Sequence, residues 1–339
     1  MEKANTKKSF GSKFLTWLKG NPIIAILIVA SIVVGIMKEN FFSWGNFSNL
    51  VSNTAVRFII ALGVSGVLIT KGTDLSAGRQ VGFAACLAGI LVQRGDYTGR
   101  LWKSVPEMNI GLVFIIVVAF GALWGLINGL IITKLHVPPF IATLGTQTVI
   151  YGICLVISDA QPIGGFQKIY TSLITGRIGS AKGFNIPYLL IVAILFGVLF
   201  WYIYNHSCHG KYMYAIGGNE VAAEVSGVNT AKTLTSIYTI AGILYAIAGY
   251  LLAAKSGGAS ASMGNGYELE AIAGCTIGGV STTGGIGTIS GIIIGVLVFE
   301  LLKIILQFLG VNPYYNYVVQ GFVIVIAVAL DIRKYIAKK

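Results

Sequence analysis

The sequence predicts an all-α, polytopic integral membrane protein of about ten transmembrane helices. Three observations predict it. Apolar residues fill 55% of the 339 positions and charged residues only 11%, whereas a soluble domain carries about a quarter charged residues. Long, nearly uncharged runs recur, each close to the ~20 residues needed to cross ~30 Å of hydrocarbon. Glycines recur at every fourth residue around two of those runs. Helix backbones approach closely through such ridges in lipid, where no hydrophobic effect drives association.

The first run, residues 22–37, follows a basic segment with Lys3, Lys7, Lys8, Lys13 and Lys19. It is short enough for a signal peptide, but the bulky Asn40-Phe-Phe-Ser-Trp44 behind it offers no small-residue cleavage site, so it stays an uncleaved span. Residues 55–70 form the second span, with Arg57 near its start. The third, 80–93, is short and rich in small residues. Gly72 and Gly78 imply irregular backbone at its entrance, tolerated at membrane depth only where protein or water covers it. The fourth, 110–133, carries Gly121, Gly125 and Gly129 along one ridge, and residues 139–157, 186–204 and 234–254 are the fifth to seventh. The eighth, 267–280, is again short and opens with Glu268 and Glu270. Gly287, Gly291 and Gly295 make a second ridge at the ninth, 289–309, and the tenth is 315–330. The ridges stand five spans apart. Five is odd, so two five-helix halves would be related by inverted topology, as in many transporters. Asp74-Leu-Ser-Ala-Gly78 and Glu268-Leu-Glu-Ala-Ile-Ala-Gly274, at the entrances of the third and eighth spans, echo that relation.

Basic residues set the orientation. The N-terminal lysines and Arg333, Lys334, Lys338 and Lys339 fit an even number of spans with both ends cytoplasmic. Loops 94–109 and 158–185 then lie outside. They carry Arg94, Arg100, Lys103, Lys168, Arg177 and Lys182, so the signal rests on the termini. The expected organisation is a basic cytoplasmic N-terminus (1–21), one transmembrane domain (22–330) with a cytoplasmic loop at 205–232, and a basic cytoplasmic C-terminus (331–339). The net charge of +12 reports topology and contact with anionic membrane lipid; it needs no nucleic acid.

Loop 205–232 is a long polar stretch among these apolar spans. Its second half, Glu220 to Gly227, reads as a short helix introduced by Gly217, Gly218 and Asn219. Asn219 is a good N-cap, and Glu220 and Glu224 suit a helix start. With small Ala222, Ala223, Ser226 and Gly227, this is a docking piece for another protein, and Ala223 and Gly227 are expected to face it.

Ionisable residues at membrane depth are expensive, so each is a functional candidate. Asp74, Ser76 and Arg79 at the third span, and Glu268 and Glu270 at the eighth, are candidates for a translocation path. Asp74 can equally cap the third helix through backbone amides. Glu300 and Lys303, three residues apart, can pair with each other on one helical face. Cys86, Cys154, Cys208 and Cys275 have no paired spacing, and three of them act as small apolar residues within spans. His206-Ser-Cys208-His209 lacks a second pair to complete a tetrahedral site, so no metal is expected. No phosphate loop occurs, since Gly210-Lys211 is followed by Tyr212. There is no catalytic motif, proton relay or run of gating arginines either. The residues alone give a transporter subunit, not an enzyme and with no cofactor, that depends on a cytoplasmic partner.

Specific stretches then resemble a known family. They are Arg57-Phe-Ile-Ile-Ala-Leu-Gly-Val, Gly72-Thr-Asp-Leu-Ser-Ala-Gly-Arg-Gln-Val-Gly, Gly125-Leu-Ile-Asn-Gly-Leu-Ile-Ile and Pro139-Phe-Ile-Ala-Thr-Leu-Gly-Thr. Further on come Ala215-Ile-Gly-Gly-Asn, Val225-Ser-Gly-Val-Asn, Tyr267-Glu-Leu-Glu-Ala-Ile-Ala, Gly278-Gly-Val-Ser and Gly310-Val-Asn-Pro-Tyr. From about Phe14 to Lys339 the chain resembles the permease subunits of bacterial ABC importers for simple sugars, the ribose/galactose/xylose group. Its Thr73-Asp-Leu-Ser-Ala-Gly-Arg-Gln80 variant is most similar to the galactoside branch. The resemblance implies a multi-pass protein of the bacterial cytoplasmic (inner) membrane, working as a homodimer. Its implied partners are cytoplasmic ABC ATP-binding subunits, which hydrolyse ATP, and an external or periplasmic sugar-binding protein. It also places the coupling segment in loop 205–232. The older Glu-Ala-Ala…Gly pattern appears there only loosely, as Glu220-Val-Ala-Ala and Gly227. Galactose or methyl galactoside is the expected cargo, with ribose or xylose the alternatives. An ion-coupled secondary sugar transporter would instead need an ion site of its own.

Overall fold

The computed structural model describes residues 22–179, 184–312 and 314–336. The basic segment 1–21, Lys182, Lys338 and Lys339 lie outside the described residues. In chain order the helices are α1 (Pro22–Met37), α2 (Trp44–Ile69), α3 (Ala77–Leu91), α4 (Ile110–Lys134), α5 (Pro139–Ser158) and α6 (Lys168–Thr175). A two-stranded ribbon follows, β1 (Arg177–Gly179) and β2 (Asn185–Pro187). Then come α7 (Tyr188–His206), α8 (Cys208–Gly218), α9 (Glu220–Val225), α10 (Thr230–Ser256), α11 (Tyr267–Ile277), α12 (Ile289–Phe308) and α13 (Tyr315–Ile336). The fold is all-α and polytopic, as the composition required. Each predicted span has its helix, and the last continues over residues that were expected to form a separate tail.

Local chemistry starts these helices where they start. Ser43, Asn109, Ser207, Asn219, Asn229 and Thr288 each accept a hydrogen bond from a first-turn backbone N–H through the side chain. Each cap satisfies one of the donors that the first helical turn leaves without an intrahelical partner. α5 begins on Pro139, whose missing N–H is no loss in a first turn.

Six described helices are long and apolar enough to cross a membrane: α2, α4, α5, α7, α10 and α12. They divide by position. In α2 and α10 the most apolar windows are 89% and 83% buried, whereas in α4, α5 and α7 the figures are 22%, 28% and 22%. The core is therefore a central pair, α2 and α10, packed on each other and wrapped by α3, α4, α7, α11 and α12. The outer helices turn Leu, Ile, Val and Phe outward, the side a membrane's acyl chains would cover.

α3 and α11 are the exceptions, with 15 and 11 residues, or roughly 22 and 16 Å at 1.5 Å per residue. Both begin at one place inside the bundle, where a Cβ on Gly78 would collide with the Gly264 carbonyl and the Glu268 carboxylate. From there they diverge. α3 leads to Gln93, which bridges Phe166 beside the α6–ribbon segment. α11 leads to residues 278–285, where Gly285 N–H donates to the Ile69 carbonyl at the end of α2 (2.8 Å). The Trp44 ring, at the other end of α2, lies edge-on to Phe184, centroids 4.9 Å apart. The two half-length helices thus run in opposite directions from a common start.

Glycine makes the closest helix contacts. A Cβ on Gly121, Gly125 or Gly129 would run into the backbone of α10 at Gly242, Tyr238 and Thr235. Gly291 and Gly295 meet the carbonyls of Gly278 and Gly274 at the end of α11. Gly287 lies ahead of the Thr288 cap, so it faces Ile69 from a loop and is not part of a helical ridge.

Candidate functional site

Segment 205–232 is mostly helical. α8 is held to the membrane bundle at three points. A Cβ on Gly217 would strike the Ile69 carbonyl and approach Gly285 N. Tyr214 donates its hydroxyl to the Gly287 carbonyl (2.7 Å), and Lys71 Nζ donates to the Gly218 carbonyl (3.3 Å). His209 Nδ1 adds a contact with Ser236 Oγ of α10 (3.2 Å). Burial holds the His209 imidazole below its ordinary range.

α9 is different. Asn219 Oδ1 accepts from Ala222 N–H (3.1 Å) as its cap, and Gly227 closes the turn behind it with φ +88°. Glu220, Ala222, Glu224 and Gly227 are exposed. Ala223, expected to face a partner, is turned inward and only 5% exposed. The residues that point out are Val221 and Val225, 71% and 85% exposed and four apart on one face. The sequence signal for them was weak, two valines among small residues in a polar loop. Gly217 and Gly218 are the last residues of α8 instead of a spacer before α9.

The candidates at the two half-helix entrances fall into separate groups. Asp74 is buried, and its Oδ1 accepts from Ser76 N–H (2.9 Å) and Ser76 Oγ–H (2.6 Å). Ser76 Oγ in turn accepts from Gln80 Nε2 (2.9 Å) and from Asn128 Nδ2 of α4 (2.9 Å). Asn128 Oδ1 accepts from Thr146 Oγ1 of α5 (2.7 Å). One chain of hydrogen bonds thus ties the α3 entrance to two neighbouring helices, and Asn128 and Thr146 are members that sequence reasoning did not single out. Arg79 leaves this chain. Its guanidinium lies over the Tyr151 ring, 4.1 Å from the centroid, and Nη2 donates to Asn265 Oδ1 (2.9 Å).

Glu268 packs against Gly78, whereas Glu270 sits in a cluster of four charges. Arg57 Nε of α2 donates to Glu270 Oε2 (2.9 Å) and lies 3.1 Å from Glu300 Oε2; Lys303 Nζ reaches Glu270 Oε1 at 2.5 Å. The Arg57 guanidinium also covers the Tyr267 ring, 4.9 Å from the centroid. The expected Glu300–Lys303 pair is therefore replaced by pairing between helices. The reason is geometric: Arg57 and Glu270 come from facing helices and place their charges between α2, α11 and α12, where each member finds an opposite one. Two positive and two negative groups leave the cluster neutral. The Cys86 and Cys154 thiols of α3 and α5 are also neighbours. Among the described residues no group of three or more His, Cys, Asp or Glu is placed to hold a metal.

Comparison with known proteins adds to this geometry. The family described as branched-chain amino acid transport system / permease component matches residues 46–328. The galactose/methyl galactoside import permease protein MglC of Escherichia coli is 44% identical over 339 residues, covering 99% of each chain. Its Salmonella typhimurium counterpart is 43% identical with the same coverage. The ribose import permease protein RbsC of Bacillus subtilis is 38% identical over 317 residues, 93% of each chain. No solved structure matches the chain.

Proposed function

This chain belongs to the branched-chain amino acid transport system / permease component family, and from that premise we propose that it carries galactose or a methyl galactoside inward across the cytoplasmic membrane of a bacterium. It is a multi-pass permease component of an ABC importer, a transport subunit and not an enzyme. The family description names amino acids, but the full-length relatives at 43–44% identity name galactosides. That identity favours the sugar as cargo. Ribose is the second reading, since ribose permeases are 38% and 33% identical.

The finer reading is a homodimer that meets a cytoplasmic ATP-binding subunit through α9 and an external sugar-binding protein on the opposite face. Both termini and segment 205–232 are cytoplasmic in this reading, and residues 22–330 act as one transmembrane domain. The observation that carries it is the exposed Val221–Val225 face on a short capped helix. Two valines in water are unfavourable by about 1.5–3 kcal/mol each relative to full burial, and a partner groove removes that. Movement imposed on α9 would pass into α8 and reach α2 through Gly217 against Ile69. Through Lys71 on Gly218 it would reach the Gly72–Ser76 entrance of α3. Alternating access follows if ATP-driven closure of the partner shifts these entrances between two arrangements.

The test is uptake of labelled galactose into vesicles, with and without internal ATP, the ATP-binding subunit and the binding protein. Uptake is expected only with all three present, and uptake on an ion gradient alone would sink the importer reading. Single cysteines at Asn219 and Lys168, in a background without other cysteines, test orientation. Only the Lys168 position should react with an impermeant reagent in intact cells.

A further inference from the structure

Beside the glycine seam that joins α4 to α10 lies an open groove of about 480 Å³. Its rim carries Lys134, in the last turn of α4, and Lys232, in the first turn of α10. Its wall is made by Leu126 and Leu130, both on the outward side of α4, and its floor by Thr235 and Ser236. Leu126 precedes Lys134 by eight residues, about 12 Å along the helix axis. The groove is therefore charged at the membrane surface and apolar one to two turns deeper.

Both lysines are exposed, and among the described residues neither has a carboxylate within ion-pair distance. Thr235 donates its hydroxyl to the Ala231 carbonyl (2.8 Å) and Ser236 to the Thr233 carbonyl (3.0 Å). The floor thus adds no strong donor, and an anion is drawn chiefly by the two ammonium groups, with the N-terminal end of α10 beside them. A second protein helix seated here would bury both ammonium groups, a penalty of several kcal/mol per ion unless it brought carboxylates to meet them. A soluble anion would satisfy the rim and leave the leucine wall bare. An amphiphile with a negative head and an acyl tail matches both ends.

We propose that this groove binds one anionic phospholipid of the cytoplasmic leaflet, its phosphate between Lys134 and Lys232 and one acyl chain along Leu126 and Leu130. The choice of leaflet rests on the orientation given above; the site itself does not. Asn229, the cap of α10, also lines the groove, so the bound lipid borders the connection between α9 and α10.

The experiment uses the full chain purified in a neutral detergent, with phosphatidylglycerol or phosphatidylcholine added. Lipid retention is read by native mass spectrometry and stability by thermal unfolding. Phosphatidylglycerol should be retained in preference to phosphatidylcholine and should raise Tm. Lys134→Gln and Lys232→Gln should each weaken retention about fivefold, as expected from ~1 kcal/mol per basic residue at an anionic surface. The double change should weaken it about 25-fold. Lys→Arg at both positions should retain the lipid, and Lys168→Gln should leave retention unchanged. Equal binding of the two lipids, or full retention by the double Gln variant, would overturn the proposal. So would glycerol phosphate stabilising as well as the lipid, or a double Gln variant altered in oligomeric state and not in retention. Detergent has no sidedness and the assay carries no sugar. A failure here leaves the importer reading standing, and the cysteine labelling decides orientation separately.

Discussion

The entrances of α3 and α11 solve one problem in two ways. Each must start a helix inside the bundle, where unpaired polar groups cost several kcal/mol. At α3 the solution is a relay of hydrogen bonds from Asp74 through Ser76 to Asn128 and Thr146, with no cation in ion-pair contact among the described residues. At α11 it is the four-charge cluster of Arg57, Glu270, Glu300 and Lys303. A relay degrades piece by piece when a member is lost. A neutral cluster does not, because removing one charge strands another. The two entrances therefore give the bundle a tolerant half and a brittle half.

The largest effect should come from the brittle half. Arg57→Met leaves two carboxylates to one ammonium, and breaking a buried pair from one side costs about 3–5 kcal/mol. Permease abundance and Tm should fall sharply. Arg57→Met combined with Glu300→Gln should recover most of the loss, because the remaining Glu270–Lys303 pair is balanced. No recovery in the double variant would mean that Arg57 acts through something other than charge balance.

A smaller loss is expected from the relay. Asn128→Ala removes the link between Ser76 and Thr146 and should cost about 1–3 kcal/mol, the range for leaving a buried polar group unmet. Thermal unfolding of the two single variants side by side checks the contrast. Equal losses would erase the distinction between the halves.

The smallest effect concerns His209, an anchor that joins α8 to α10 without an ion partner. Its imidazole is held below its ordinary value by burial, so the unfolded chain takes up a proton at a higher pH than the folded one. Stability from this site is present above about pH 6.5, the ordinary histidine value. It is lost as the pH falls toward the folded-state value. His209→Gln should flatten that part of the Tm-against-pH curve, and an unchanged slope would remove His209 from the account.

Sequence reading located the helices because apolar run length is a local property. The cap at Asn219 was legible for the same reason, since a cap acts within three residues, whereas the cap at Asn229 was not singled out. What could not be read was partner choice across the fold. Arg57 and Glu270 are separated by 213 residues, and only packing of α2 on α11 brings them together. Glu300 and Lys303 were matched to each other because their spacing was the only geometry the sequence offers. Ala223 is a different case: in a helix of 6 residues, the face turned inward depends on where α8 holds it. Gly287 was assigned to a helix because a spacing of four carries no mark of where the Thr288 cap intervenes.

The bare Val221–Val225 face also bears on the life of the subunit before assembly. If α9 faces the cytoplasm and docks as proposed, an unpartnered apolar pair there is the kind of surface that quality-control proteases recognise, and a permease without its ATP-binding partner should be short-lived. Supply of the partner would then set how much permease accumulates. Pulse-chase measurement in cells lacking the partner subunit should show rapid loss of the permease. Replacing both valines with serine should lengthen its half-life while leaving it unable to engage an ATP-binding subunit supplied later.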